Sequence, residues 1–120
     1  MTLHEEVFGA VSGYGFPVWS APAPHNAHPP YVTFTRRDPG SQSYELSGSR
    51  GLLRQPIEFV AWSKDAEEAE TAALELIPRL EAYTSSTVRA VRIRERTVGF
   101  NGPTRHHGFK VVAEFITTEE

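Results

Sequence analysis

Residues 57–62 alternate Ile57, Phe59 and Ala61 against Glu58, Val60 and Trp62, and beyond Asp65 the apolar residues recur at helical spacing instead. The first pattern is a strand with one strongly buried face, and the second is the stripe of an amphipathic helix. Neither can bury its apolar side alone, so the chain must form layers in which a helix covers a sheet. The helical stripe is Ala69, Ala73, Leu76, Ile77 and Leu80, running to about Tyr83. Asp65 and Glu68 have the spacing of a capping box at its start, and Pro78 removes a backbone donor and is expected to kink its last turn. Alternation returns twice more. Val91 and Ile93 oppose Arg92, Arg94 and Arg96 within 88–98, and Phe109, Val111, Ala113 and Phe115 form one face of a last strand. Asn101-Gly102-Pro103 is a turn signal between them, so the two strands are expected to form an antiparallel hairpin around 99–108.

The first half of the chain is less regular. Thr2 and Glu5 fit a capping box, Leu3, Val7, Ala10 and Val11 share one helical face, and Gly13 and Gly15 end that helix. Residues 16–30 contain five prolines and read as an extended connector. Tyr31 to Thr35 has the β-branched and aromatic content of a strand, and Asp38-Pro39-Gly40 opens a Ser- and Gly-rich loop over 36–50. The expected fold class is therefore α+β. It is a mostly antiparallel sheet of about four strands with two helices packed on one face, in the order α-β-β-α-β-β. At 120 residues this is a single domain over 1–120.

Several chemistries are excluded at once. The chain has no cysteine, which removes disulfides, thiolate metal sites and thiol nucleophiles. No apolar run approaches the roughly 18 residues of a membrane span, and the acidic N-terminus does not read as a secretory signal. Gly48-Ser49-Arg50-Gly51 lacks the spacing of a nucleophile elbow, and no phosphate-binding or dinucleotide glycine motif occurs. His25, His28, His106 and His107 fall in two loops with spacings that do not converge on a tetrahedron, so they read as solvated side chains and no metal or other cofactor is expected. Trp19 and Trp62 read as core or core-rim residues, with Trp19 plugging a loop onto the core.

Charge is distributed unevenly. Residues 58–81 carry a net −5, residues 82–110 a net +5, and the whole chain −3. Glu67, Glu68, Glu70 and Glu75 lie on the second helix, where carboxylates favour the positive end of the dipole. Arg92, Arg94 and Arg96 follow a period of two, which would place all three on one sheet face roughly 6–7 Å apart. Such a row can pair with carboxylates of a neighbouring molecule, line a passage for DNA, or stay solvated. The acidic and basic segments together suggest complementary surfaces within the fold or between copies of it.

The order of these motifs resembles the tail-terminator, or tail-completion, proteins of long-tailed bacteriophages. The resemblance runs over about residues 4–117. It rests on Pro30-Tyr31-Val32-Thr33-Phe34 entering a strand, then Ser47-Gly48-Ser49-Arg50 leading into Pro56-Ile57-Glu58-Phe59-Val60-Ala61-Trp62-Ser63. Lys64-Asp65-Ala66-Glu67-Glu68-Ala69 then opens a helix, and an Arg-containing strand pairs with the last one. It implies a structural, non-enzymatic virion assembly protein of the tail and neck, assembled in the bacterial host cytoplasm. Such a subunit caps the tail tube, stops its polymerisation and forms the joining surface to the head, usually as a hexameric ring. The implied partners are copies of itself, the tail tube protein and a head-connector protein, with genomic DNA only as cargo passing through the lumen and no membrane. Glu67, Glu68, Glu70, Glu75, Arg92, Arg94 and Arg96 are the candidate ring contacts, read from charge rather than from a family motif. Three alternatives stay open: a head-closure or adaptor protein of the neck, a DNA-binding role, and a small-molecule or metal-binding α+β domain. The last would need His25, His28 or His107 to meet a carboxylate.

Overall fold

The computed structural model describes residues 3–21, 28–36, 52–86, 88–101 and 107–118. Its elements are α1 (Leu3–Ala10), β1 (Val18–Ser20), β2 (Tyr31–Arg36), β3 (Leu52–Ser63), α2 (Ala66–Glu81), β4 (Val88–Asn101) and β5 (His107–Thr118). The strands form one sheet in the order β1-β2-β3-β5-β4. The α+β class and the two-helix layer stand as the periodicity predicts, but the sheet has five strands rather than four.

The added strand lies inside the Pro-rich connector. β1 pairs in parallel with β2, matching Val18 to Val32 and Ser20 to Phe34. Val32 donates its N–H to the Pro17 carbonyl at 2.9 Å, and Ala21 donates to Phe34 at 2.9 Å, so the ladder extends past both ends of the strand. Proline lacks a donor but keeps its carbonyl, which is why it is tolerated at the margin of an edge strand. The remaining pairs are antiparallel.

Residues directly opposite in an antiparallel pair share a face. One face carries Val32, Phe34, Ile57, Phe59, Ala61, Phe109, Val111, Ala113 and Phe115, and both helices pack on it. Val7 and Ala10 of α1, Val11 just beyond it, and Ala69, Ala72, Ala73, Leu76, Ile77 and Leu80 of α2 complete that core. On the other face the rows mix chemistries: Tyr31, Trp62 and Gly108; Thr33, Val60 and Lys110; Thr35, Glu58 and Val112. Trp62 donates its indole N–H to Thr33 Oγ1 at 3.1 Å, within one such row and the next. Trp19, on β1, is paired with Thr33 of β2 and is 38% exposed, so it belongs to this open face rather than plugging a loop onto the core.

The helix ends explain their own lengths. Asp65 caps α2 by accepting from the Glu67 N–H at 3.1 Å. The reciprocal half of the expected capping box does not form, because the Glu68 carboxylate accepts from Ser63 Oγ and the Asp65 N–H donates to Ser63 Oγ at 3.2 Å. Ser63 is fully buried at the end of β3, so it competes successfully for Glu68. Asp65→Ala should cost about 1 kcal/mol, read as a lower urea midpoint at unchanged slope. α2 continues through Pro78, and Ala82 still donates to the Pro78 carbonyl at 3.1 Å, so the last turn is hydrogen-bonded. α1 is closed by Gly13 at φ +82, a left-handed position that costs glycine nothing and a branched residue strain. The capping box expected at Thr2, the loop over 36–50 beyond Arg36, and the tip of the 99–108 hairpin lie outside the described residues.

Candidate assembly surfaces

The exposed side of α2 carries Glu67, Glu68, Glu70, Thr71, Leu74 and Glu75. Two hollows flank it, both bounded by the connector between α1 and β1. The first is lined by Phe16, Thr71 and Leu74, with Asp65, Glu67, Glu68 and Glu70 around it. Phe16 packs against the core while Leu74 is 42% exposed, so the floor is apolar and the rim acidic. The second is lined by Ala10, Tyr14, Gly15, Glu75, Pro78, Arg79, Ala82 and Tyr83. Tyr14 and Phe16 separate the two as an edge-to-face pair, with ring centroids 5.4 Å apart.

Two side chains that line the second hollow also tie the connector to α2. Tyr14 donates its hydroxyl to the Ala72 carbonyl at 2.5 Å, and Arg79 donates to the Ser12 carbonyl at 3.1 Å. Burial holds the Tyr14 phenol well above its ordinary value of 10.0; the Glu75 carboxylate adds to this and Arg79 partly offsets it. Tyr83 is shifted the same way, by burial first and by its hydrogen bond to Glu6 second. An unfolded phenol loses its proton near pH 10 while these hold theirs longer, so the stability they confer is complete below about pH 10 and lost as pH rises. The melting temperature should therefore decline from about pH 10 upward, and Tyr14→Phe should flatten that decline while lowering the neutral-pH value slightly.

The basic residues are arranged differently from the period-two expectation. β4 pairs with β5 through Arg92 and Glu114, then Ile93 and Ala113, but next come Glu95 with Val112 and Arg96 with Val111. Arg94 is the extra residue of a β-bulge, and a bulge reverses the alternation beyond it. Arg92 thus shares the open face with Glu114, whereas Arg96 shares the face of Val111, on the helix side. The three arginines are not one row. Arg94 turns back onto Glu114, with Nη1 3.1 Å from Oε2 and 3.2 Å from Oε1. That leaves Arg89, Arg92 and Arg96 exposed along the outermost strand.

Sequence reasoning missed a third polar centre. Glu6 is 1% exposed, and its Oε1 accepts from Tyr83 Oη at 2.5 Å and from Ser85 Oγ at 2.9 Å. Ser85 Oγ also accepts from the Val88 N–H at 3.0 Å, so α1, the end of α2 and the start of β4 meet there. Gly9 permits the approach, since a methyl group in its place would sit 3.0 Å from the Tyr83 hydroxyl. The available signal was weak: Glu6 stands one residue from Val7 on the apolar side of a short helix.

Among the described residues, which include His28 and His107, no group of three or more His, Asp or Glu side chains is placed to hold a metal ion. His25 and His106 lie outside those residues. Among the described residues no helix is long and apolar enough to cross a membrane.

No family model and no curated protein matches the chain. Among solved structures the fold is similar to a chain in the virion of the native gene transfer agent particle, with a TM-score of 0.61 at 15% identity. That match covers 93% of this chain and 84% of the other. A second similar chain is the gp17 protein of bacteriophage SPP1, with a TM-score of 0.44 at 16% identity, covering 95% of this chain and 78% of that one. At such identity the first likeness is one of fold alone.

Proposed function

We propose that this chain is a structural, non-enzymatic subunit of a phage-type particle. In that role it caps the tail tube, stops its polymerisation and offers the joining surface to the head, acting as a ring of identical copies, most simply a hexamer. The observation that carries the reading is the fold shared across 93% of the chain with a component of a gene transfer agent virion. The motif order from Pro30 to Ala69 supports it independently of the fold. The partners are then the tail tube protein and a head connector, and DNA passes through the ring as cargo. A ring of one chain type uses head-to-tail contacts, so each copy must present two unlike, complementary surfaces. The acidic α2 side and the basic β4 edge satisfy that requirement in sign.

Light scattering and negative-stain imaging test this, first on the protein alone and then with purified tail tubes. Rings, or caps on tube ends with arrested growth, are the expected result. A chain that ignores tubes but binds a portal-side component would instead make it a head-closure or adaptor protein. Binding to neither would overturn the virion reading.

A further inference from the structure

We infer that the hollow between α2 and the connector ahead of β1 is the seat for the β4 edge of a second copy of this chain. The inference rests on the ring reading above and adds which surfaces meet. The hollow has an apolar floor of Phe16 and Leu74 and an acidic rim of Asp65, Glu67 and Glu70. Leu74 is one of three large apolar side chains left well exposed among the described residues, and it stands in the middle of the most acidic helix face. Solvation alone explains the acids but gives no reason for the leucine; an interface with an apolar centre and a charged rim explains both.

The complementary surface is on the same chain. β4 is the outermost strand, and Arg89, Arg92 and Arg96 are exposed on it. Arg94 is already neutralised by Glu114, so the charges that reach outward are those on either side of the bulge. Because the bulge reverses the alternation, Arg92 and Arg96 leave the strand toward opposite faces and can straddle a neighbour's rim. Among the described residues neither Glu67 nor Glu70, nor Arg92 nor Arg96, makes an ion pair. Within one molecule α2 packs against β4, yet among the described residues the arginines of that strand do not pair with the acids of this hollow. A neighbour related by rotation can bring the two together, and repetition of that contact closes a ring.

Charge exchange tests the pairing. Arg92→Glu with Arg96→Glu should weaken ring assembly by at least about tenfold in concentration, and so should Glu67→Arg with Glu70→Arg. Mixing the two variants should restore mixed rings, while each alone stays dissociated with an unchanged melting curve. Because the chain has no cysteine, a second measurement needs no background removal. Thr71→Cys and Arg89→Cys proteins, mixed and treated with a short bis-maleimide, should give a covalent dimer that neither gives alone. Rings of wild-type mass that survive both charge reversals and yield no cross-link would overturn the inference and leave the ring reading standing. A wild-type chain that stays monomeric, alone and on tubes, would remove both.

Discussion

Phe59→Ala should unfold this protein some 10–20 °C earlier than wild type. Phe59 is 1% exposed in the centre of β3, with Phe34 opposite it on β2 and Val111 opposite it on β5. Its ring lies 6.0 Å from that of Phe34, and Phe34 in turn receives Phe8 of α1 edge-on at 5.4 Å. The three rings tie α1 to the second and third strands, and the middle of the sheet has no spare side chain to refill the space. Removing a buried phenylalanine costs about 3–5 kcal/mol. That is a large part of the roughly 5–15 kcal/mol that holds a domain folded. At this chain length each kcal/mol moves the melting temperature by roughly 3–5 °C, a product of about 9–25 °C that brackets the shift given above. Thr35→Ala is the matched control: Thr35 is exposed on β2, one residue along and on the other face, and the change should stay within about 0.5 kcal/mol. A loss at Thr35 as large as at Phe59 would mean that the helix-covered face is not where the stability lies.

The second large effect is expected at Glu6. Glu6→Ala removes the acceptor of two hydroxyl groups and leaves a gap in a fully buried position, for a cost of about 2–4 kcal/mol. Glu6→Gln keeps a carbonyl acceptor of the same shape and should lose only about 1 kcal/mol. The informative measurement is a double-mutant cycle with Tyr83→Phe. If Tyr83 Oη and Glu6 Oε1 hold each other, the two losses should fall short of additivity by about 1 kcal/mol or more. Additive losses would show instead that Glu6 matters through packing alone. The site carries more than its own energy, because among the described residues α1 puts just Val7 and Ala10 into the core, with Val11 after it, and this contact fixes its rotation on the sheet.

The contrast between these sites shows which features the sequence could disclose. Period-two and period-3.6 patterns located β3, β5 and α2, because burial of one face leaves a repeating mark on the composition. β1 left none. The three residues Val18–Ser20, set between Pro17 and Pro22, are too few for alternation to register, and their pairing depends on a partner fourteen residues away. The arginine spacing misled for a related reason: an alternation argument assumes a regular ladder, and the bulge at Arg94 is set by pairing with β5 rather than by local chemistry. Ser63 took Glu68 from the expected capping box through a contact five residues apart, which a motif of fixed spacing cannot contain. The acidic residues of α2 and the basic ones of β4 were visible as charge. Leu74 at the centre of the acidic side was visible as a letter but not as an exposed one, since exposure depends on where the connector crosses the helix.

The β4–β5 ladder is interrupted at three places, between Val88 and Ala90, Ile93 and Glu95, and Val98 and Phe100. Each interruption twists the outermost strand and breaks the even row of amides that another strand would need in order to zip onto it. Fourteen residues of straight edge would be an invitation to fibre growth at the concentrations where particles are built; a strand broken into short runs is not. Contact along this border must therefore be made by side chains, which recognise one partner geometry, and not by backbone, which accepts any extended chain. A subunit proposed to end a polymer is in this way kept from starting one of its own.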